Sequence, residues 1–265
     1  ERMIILGGGH ISLSLCQFAS ACGFDITIVD DRPAFANAAR FPMAHVICDT
    51  FEAALEQLTI TPYDYVIIVT RGHRHDGDCL RMLWEKEPPA YLGMIGSRRR
   101  VAGLKDVLEE EGISRKWLDN ICTPIGLKIG AITPAEIAVS IMAEVISYKR
   151  MPEIARHPVN DSDLENDMIT YLAKNTEPQA VVTIVSSMGT TPRAAGAKMS
   201  VNIAGQVTGT IGGGCAEGAI IQTAVRMIGT GTYRLVSIDM SGEVAESEGM
   251  VCGGVMTVLI EDGSR

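Results

Sequence analysis

The sequence predicts an α/β fold with a doubly wound parallel sheet, followed by a smaller α+β domain. In the first half, short β-rich runs alternate with helical stretches, and a glycine-rich turn follows the first run. In the second half, closely spaced strand-like runs replace that alternation. Alternating strands and helices are typical of βαβ units, which place their strands parallel and cover both faces of the sheet with helices.

The strand-like runs of the first half are nearly continuous in apolar character, as expected for strands buried on both faces. The predicted strands are residues 3–6, 26–29, 44–47, 65–69 and 90–93. Further on, Thr133, Pro134 and Glu136 supply a cap residue, a proline at the first helical position and a capping-box acid. This combination predicts a helix to about Tyr148.

The second half predicts a small α+β domain joined to the first by a linker. Its predicted helices are 164–174 and 216–228, and its predicted strands are 180–187, 197–203, 205–211, 233–239 and 254–261. The stretch between the halves carries two prolines and polar residues without a regular period. We therefore predict a first domain over 1–149, a linker over 150–163 and a second domain over 164–265.

Composition limits the classes of function. Hydrophobic residues make up 46% of the chain and charged residues 21%, with a net charge of −9, which argues against a nucleic-acid partner. The longest apolar segment, 131–147, contains two glutamates, so it predicts no membrane span and no membrane partner. Seven cysteines without zinc-type spacing indicate reduced thiols and a cytoplasmic location.

The segment "MIILGGGHISLSL" places Gly7 and Gly9 directly after the first strand in the pattern G-x-G-x-x-S, with Ser12 at the last position. Asp30 ends the second strand, where a ribose-binding acid belongs in a dinucleotide site. Strand, turn, helix and acid together predict a Rossmann-like site for a nucleotide or another phosphate-bearing ligand at Gly7, Gly9 and Asp30. The alternative is a glycine-rich turn that binds nothing.

Two further loops follow strands of the predicted sheet. In "GMIGSRRR", Ser97 and the arginine triplet that begins at Arg98 suit a phosphate near a helix start, and the alternative is a solvated helix face. In "VTRGHRHDGD", His73, His75 and Asp76 are compatible with a metal site. Because no fourth ligand is evident, we favour a hydrogen-bonded loop there.

The segment "GTIGGGCAEGAI" places Gly212, Gly213 and Gly214 directly before Cys215 at a predicted helix start. Three glycines cost backbone entropy and add nothing to a core, which indicates close approach of a ligand or a backbone with positive φ. A helix start also favours a thiolate. Cys252 lies beside glycines in "EGMVCGGVM". The alternative is that both cysteines are small buried hydrophobic residues, the role we assign to the other five.

Together these motifs resemble those of the XdhC/CoxI family, maturation factors for molybdenum hydroxylases such as xanthine dehydrogenase. The first half is similar to the Rossmann domain of that family through "GGGHIS", "VTRGHRHD", "YLGMIGSRRR" and "TPIGLKIGAITPAEIAVSIMAE". The second half is similar to the CoxI-type domain through "GTTPRAAGAKM", "GTIGGGCAEGAI" and "EGMVCGG". The order here, Rossmann domain first, is the reverse of the more familiar one.

The resemblance implies a protein that binds the molybdenum cofactor, holds it while a terminal sulfido ligand is installed, and assists its insertion into the hydroxylase. It implies an accessory factor more than a catalyst, with the hydroxylase and a cysteine desulfurase as partners. Cys215 would touch the metal or carry sulfur, with Cys252 assisting. The phosphate of the cofactor would meet Arg193, Lys198 and the amides of the glycine loop at 212–214.

Two other interpretations stay open at the level of sequence. One is an NAD(P)-dependent oxidoreductase, or a nucleotide-regulated protein, that uses Gly7, Gly9 and Asp30. The other is a redox sensor in which Cys215 and Cys252 form a disulfide. A homodimer is compatible with each of them.

Overall fold

The computed structural model describes residues 1–151, 153–154, 162–240 and 254–264, without the side chains of His73, Cys215 and Ala216. The chain divides into two compact units, Glu1–Asn160 and Asp161–Arg265. Most of the predicted linker falls outside the described residues, so the predicted boundaries at 149 and 163 stay predictions.

The first unit contains a five-stranded parallel sheet in the order β3-β2-β1-β4-β5. Its strands are β1 (Arg2–Leu6), β2 (Asp25–Val29), β3 (His45–Ile47), β4 (Asp64–Ile68) and β5 (Tyr91–Met94). The order reverses direction between β1 and β4, and in such sheets ligands bind at the carboxyl ends of the strands beside that switch point. The glycine-rich turn follows β1 and therefore lies at this place.

Helices cover both faces of the parallel sheet. They are α1 (His10–Ala21), α2 (Phe51–Gln57), α3 (His73–Trp84), α4 (Arg98–Glu110), α5 (Arg115–Asp119) and α6 (Pro134–Arg150). Alternate side chains of β1 enter opposite cores: Ile5 packs in the cluster that includes α1 and α6, and Ile4 packs in the cluster that includes α2, α3 and α4. The predicted capping box is present at Thr133 and Glu136, which fixes the start of α6.

The second unit contains a five-stranded antiparallel sheet in the order β8-β7-β6-β10-β9. Its elements are α7 (Asn166–Lys174), β6 (Gln179–Met188), β7 (Lys198–Asn202), β8 (Val207–Gly209), α8 (Cys215–Met227), β9 (Tyr233–Asp239) and β10 (Val255–Asp262). Ile220 and Ala224 of α8 belong to the same buried core as the inward side chains of β6, β7 and β10. The helix that begins at Cys215 is therefore anchored to the sheet.

The predicted fold class, a Rossmann-like parallel sheet with a smaller α+β domain, is confirmed. One predicted strand, 205–211, is shorter in the structure because β8 ends at Gly209, where φ is +78°. The packing role assigned to five cysteines holds for Cys16 and Cys79, which are both buried. Burial raises the pKa of Cys16 to about 11. That role is wrong for Cys22 and Cys48, which are exposed.

Candidate functional site

The turn after β1 is packed tightly between neighbouring strands. Gly7 has φ +117°, and its amide donates to the carbonyl oxygen of Val29 at 2.7 Å. A Cβ on Gly7 would lie far inside contact distance of the Val69 carbonyl oxygen, and a Cβ on Gly8 would lie 2.5 Å from the Phe35 carbonyl oxygen. Gly9, the N-cap of α1, faces open space. Gly7 and Gly8 are thus required by packing, whereas Gly9 leaves room at the helix N-terminus.

Asp30, the predicted ribose-binding acid, is buried, and its carboxylate already accepts four hydrogen bonds. The Gly8 amide donates to Oδ2 at 2.8 Å, and Arg32 donates from its amide, Nε and Nη2 at 3.1, 2.8 and 2.9 Å. Burial alone would raise the pKa of Asp30, but the bonds from Arg32 and Gly8 outweigh it and lower the pKa below its usual value. A ribose hydroxyl at Asp30 would have to displace one of these donors.

Arginines surround the same turn. Arg40 donates to the carbonyl oxygens of Gly8 and Gly9 at 3.2 and 3.4 Å. The Arg32 guanidinium lies 3.7 Å from the centre of the Phe35 ring, a cation–π contact. Because Arg32 offsets the charge of Asp30, Arg40 is the cation at this edge that suits an anionic ligand.

The segment after β4, which leads into α3, is held by hydrogen bonds. Buried Asp76 accepts from the Thr70 hydroxyl at 2.5 Å and from Arg100 Nη2 at 3.1 Å. The His75 ring packs against Phe51 with centroids 5.4 Å apart. In the part of the chain that the structure describes, no three His, Cys, Asp or Glu side chains form a metal-binding group. His73, His75 and Asp76 therefore lie in the first turn of α3 and not in the loop favoured from the sequence, and hydrogen bonds hold Asp76 in that turn.

Ser97 and Arg98, the predicted phosphate partners after β5, line two different grooves. Ser97 is the N-cap of α4, makes no side-chain capping bond and lines a groove of about 590 Å³. Arg98 lines a groove of about 390 Å³ with Lys105 and Thr123, whose buried Oγ1 has no hydrogen-bond partner. The two residues therefore do not converge on one volume, and their role as a pair stays a prediction.

The glycine run of the second unit adopts a conformation that only glycine accepts easily. Gly212, Gly213 and Gly214 have φ values of +130°, +76° and +72°, in the region that other residues rarely enter. Gly214 is the N-cap of α8, which begins at Cys215. A Cβ on Gly213 or Gly214 would meet nothing within 4 Å. These two glycines serve backbone conformation and leave open space beside the backbone.

Glu217 already accepts a hydrogen bond from one amide of this run, that of Gly213. Its Oε1 accepts from the Thr210 hydroxyl at 2.6 Å, from the Ile211 amide at 3.0 Å and from the Gly213 amide at 2.8 Å. The Gly212 amide donates to the Thr210 hydroxyl at 3.0 Å. A cofactor phosphate, which the sequence assigns to the amides of 212–214, would therefore compete with Glu217 for the Gly213 amide.

Two other segments of the second unit lie against the glycine run or beside it. A Cβ on Gly212 would clash with the Pro192 side chain, so the "GTTPR" segment packs directly on the run. A Cβ on Gly254 would lie 2.7 Å from the carbonyl oxygens of Met188 and Thr190. Cys252 lies outside the described residues. The "GTTPR" segment thus contacts the glycine run through Pro192. It also contacts Gly254, the last residue of the "CGG" sequence, through Thr190.

The predicted phosphate-binding cations of the second unit already have partners. Arg193 forms ion pairs with Asp163 at 2.7 Å and with Glu165 at 2.9 Å, and the hydrogen bond to Asp163 is the main reason that its pKa is raised. Lys198 donates to the Thr183 hydroxyl at 2.7 Å. A ligand phosphate would compete with these partners, so both assignments stay predictions.

Sequence reasoning missed the residues that organise the two turns. In the sequence Arg32, just beyond Asp30 and Asp31, only leaves the choice between NAD and NADP open, and Glu217 and Asp163 receive no role. Glu217 had a readable signal, because an acid three residues after an N-cap often bonds back to the chain. Asp163 had none, since its partner Arg193 lies 30 residues away.

The comparisons with known proteins follow the same division into two units. A family described as the XdhC Rossmann domain matches residues 3–145, more than half of the chain, and a family described as XdhC and CoxI matches residues 172–239. The chain belongs to the XdhC family. The resemblance inferred from the motifs, with the Rossmann domain first, is confirmed.

Similar proteins match this XdhC-family chain over about half of its length. It is 35% identical over 150 residues to an uncharacterized protein, YqeB, of Escherichia coli, covering 56% of this chain and 27% of YqeB. It is 31% identical over 150 residues to a Bacillus subtilis protein described as a probable xanthine dehydrogenase subunit, covering 56% of this chain and 43% of that protein. This chain therefore spans less than half of these relatives.

A solved structure also matches about half of this chain. A crystal structure described as a xanthine dehydrogenase from Bacillus halodurans has 37% sequence identity and a TM-score of 0.50, covering 56% of this chain and 43% of that one. Among the described residues of the present chain, no helix is long and apolar enough to cross a membrane.

Proposed function

We propose that this chain is an accessory factor for a molybdenum hydroxylase of the xanthine dehydrogenase type. It binds the molybdenum cofactor, holds it while a cysteine desulfurase supplies sulfur, and assists its insertion. Membership of the XdhC family and the xanthine dehydrogenase names of two relatives support the accessory role. The observation that carries the cofactor site is the run of three glycines with positive φ that ends where α8 begins at Cys215.

The glycine run suits a large planar ligand. Gly213 and Gly214 have no neighbour at the Cβ position within 4 Å, so a ring system can lie against the backbone there. Cys215 occupies the first position of α8, where the helix dipole favours a thiolate. A soft thiolate is a suitable partner for molybdenum or for a transferred sulfur atom. Cys252 remains the proposed assisting thiol.

The phosphate of the cofactor requires donors other than the Ile211 and Gly213 amides, which serve Glu217. We keep Arg193 and Lys198 as its proposed partners, because both cations lie in the same unit as the glycine run. Binding would exchange bonds that these side chains now make within the chain for charge-assisted bonds to phosphate. The expected partners remain the hydroxylase and the desulfurase, and a homodimer stays open.

The test is anaerobic binding of molybdenum cofactor by the purified protein, read from the fluorescence of the oxidised pterin after desalting. We expect the parent to retain the cofactor and Cys215→Ala to lose it. Cys22→Ala is the matched control, because Cys22 is an exposed thiol of the first unit. Equal retention by parent and Cys215→Ala would remove Cys215 from the mechanism. No retention by the parent would overturn the proposal.

A second candidate is a nucleotide ligand in the first unit, for regulation or for NAD(P)-dependent oxidoreduction. The turn at Gly7 and Gly9 favours it, and so do Arg32 and Arg40 around that turn. The saturated carboxylate of Asp30 weighs against a contact to an unmodified ribose. Equilibrium dialysis with NAD(H) and NADP(H) tests the NAD(P)-dependent form of this candidate, and no binding of any of them would eliminate NAD(P)-dependent oxidoreduction.

A further inference from the structure

We infer that Glu217 is a positioning residue that fixes the three-glycine turn in one conformation and thereby holds the cofactor site open. The effect on cofactor retention rests on the proposed function above. The effect on the turn does not, because it follows from hydrogen bonds within the second unit.

One oxygen atom organises four consecutive residues. Oε1 of Glu217 accepts directly from Thr210, Ile211 and Gly213 at distances between 2.6 and 3.0 Å. Gly212 is tied to the same atom through the Thr210 hydroxyl, which accepts from its amide at 3.0 Å. The backbone from 210 to 213 is therefore wrapped around a single carboxylate of the chain.

The turn needs such an anchor because of its composition. Glycine populates positive and negative φ with similar ease, so three in a row have many accessible conformations in the absence of a fixed partner. Packing holds only one of the three, since Gly212 lies against Pro192 whereas Gly213 and Gly214 face open space. The hydrogen bond from the Gly213 amide selects the conformation of the part that packing leaves free.

The charge of Glu217 is available for this task. Among the ion pairs found in the described residues, none involves Glu217, in contrast to Asp30, which is paired with Arg32. Hydrogen bonds from N–H groups to an unpaired carboxylate are about twice as strong as those between neutral groups. Glu217 also lies in the first turn of α8, where the helix dipole favours negative charge. The same residue therefore ties the turn to the helix that begins at Cys215.

Amide hydrogen exchange tests the anchoring directly. In Glu217→Ala we expect the Ile211 and Gly213 amides to exchange about tenfold faster or more, because charge-assisted hydrogen bonds are lost. Glu217→Gln keeps one carbonyl oxygen that can accept, so its exchange should fall between the alanine variant and the parent. Glu261→Ala, an exposed acid on β10, is the control and should match the parent.

Cofactor retention tests the consequence for function. We expect Glu217→Ala to shorten the half-life of bound cofactor about tenfold, with Glu217→Gln restoring part of it and β6 and β10 keeping their slow exchange. A role in general stability alone would instead speed exchange across β6 and β10. Unchanged exchange at 211 and 213, or a parental half-life in Glu217→Ala, would overturn the inference.

Failure of the proposed function and failure of the inference about Glu217 give different experimental results. If the parent does not retain cofactor, the proposed function is overturned, and exchange at 211 and 213 still decides whether Glu217 fixes the turn. If Glu217→Ala does not fold, Glu217→Gln provides the same comparison with a smaller expected change. Faster exchange at the turn combined with parental cofactor retention would separate the anchor from the site and contradict the inference.

Discussion

The two glycine-rich turns of this protein resemble each other in sequence but differ in what their glycines do. Each turn lies between a strand and a helix, and in each a carboxylate accepts from a glycine amide, Asp30 from Gly8 and Glu217 from Gly213. In the first turn only Gly7 has positive φ. In the second turn all three glycines do.

The difference lies in packing and in the source of the carboxylate. Gly7 and Gly8 are required because backbone oxygens crowd them, and Asp30 comes from the neighbouring strand and is neutralised by Arg32. In the second turn two glycines face open space, and Glu217 comes from the helix that follows. Gly7 and Gly8 of the first turn are thus part of a packed core, whereas the second turn is half-buried at Gly212 and Gly213 and stabilised by a local anion. The same sequence of three glycines therefore serves packing in the first turn and leaves open space beside the backbone in the second.

The largest effect is expected in the first turn. Gly7→Ala should destabilise the first unit by about 2–4 kcal/mol, because the new Cβ meets the Val69 carbonyl oxygen and the residue keeps a strained φ of +117°. Urea unfolding followed by tryptophan fluorescence measures this, since both tryptophans, Trp84 and Trp117, lie in the first unit. Gly103→Ala, in open space within α4, should instead stabilise by about 0.5–1 kcal/mol. Equal effects of the two changes would contradict the packing account.

The second turn should separate packing from conformation. Gly213→Ala is expected to cost only about 1–2 kcal/mol, the penalty of a left-handed residue in open space. Gly212→Ala should cost about 1–3 kcal/mol more, because its Cβ clashes with Pro192. Denaturant-dependent amide exchange in β6 and β10 measures the second unit, which has no tryptophan. If both variants lose the same stability, Gly212 is not packed as described.

The smallest effect concerns the acidic residue next to Asp30. The hydrogen bond from Arg71 lowers the pKa of Asp31 to about 2, below the value of about 3.9 for an unfolded chain. Its contribution is therefore complete above about pH 4 and is lost as the pH falls toward 2. Because both side chains of the pair are partly exposed, it contributes less than about 1 kcal/mol.

Tryptophan-monitored urea unfolding at pH 5 and pH 3 checks this prediction. The parent should lose slightly more stability than Arg71→Gln between the two pH values, because Arg71 holds the pKa of Asp31 in the folded protein below its value in the unfolded chain. Arg74→Gln, an exposed arginine of α3, is the control and should behave like the parent. Equal losses in the parent and Arg71→Gln would show that the pair contributes nothing.

The elements could be predicted well from local sequence, because apolar runs and caps are local signals. The runs at 26–29 and 65–69 correspond to β2 and β4, and Thr133 with Glu136 marks the start of α6. The end of β8 could not be predicted, since Thr210 and Ile211 continue an apolar β pattern yet bond to Glu217 instead of a neighbouring strand. A β pattern records side-chain character and not which acceptor a backbone amide finds.

The site could be predicted in its residue types and less in its pairings. Glycine runs and the helix start at Cys215 are visible in the sequence, because both depend on neighbours along the chain. The pairing of Arg193 with Asp163 is not visible, since it joins residues 30 positions apart through the fold. An arginine therefore suggests a phosphate in the sequence, although in the structure it has a carboxylate partner.

The most direct measurement of the central claim is amide exchange of the whole protein with and without molybdenum cofactor, under anaerobic conditions. We expect the cofactor to protect amides in the second turn and at the start of α8, within 209–217, and to leave 7–12 in the first turn unchanged. Protection confined to 7–12 would contradict this expectation and place the cofactor in the first unit, at the edge lined by Arg32 and Arg40.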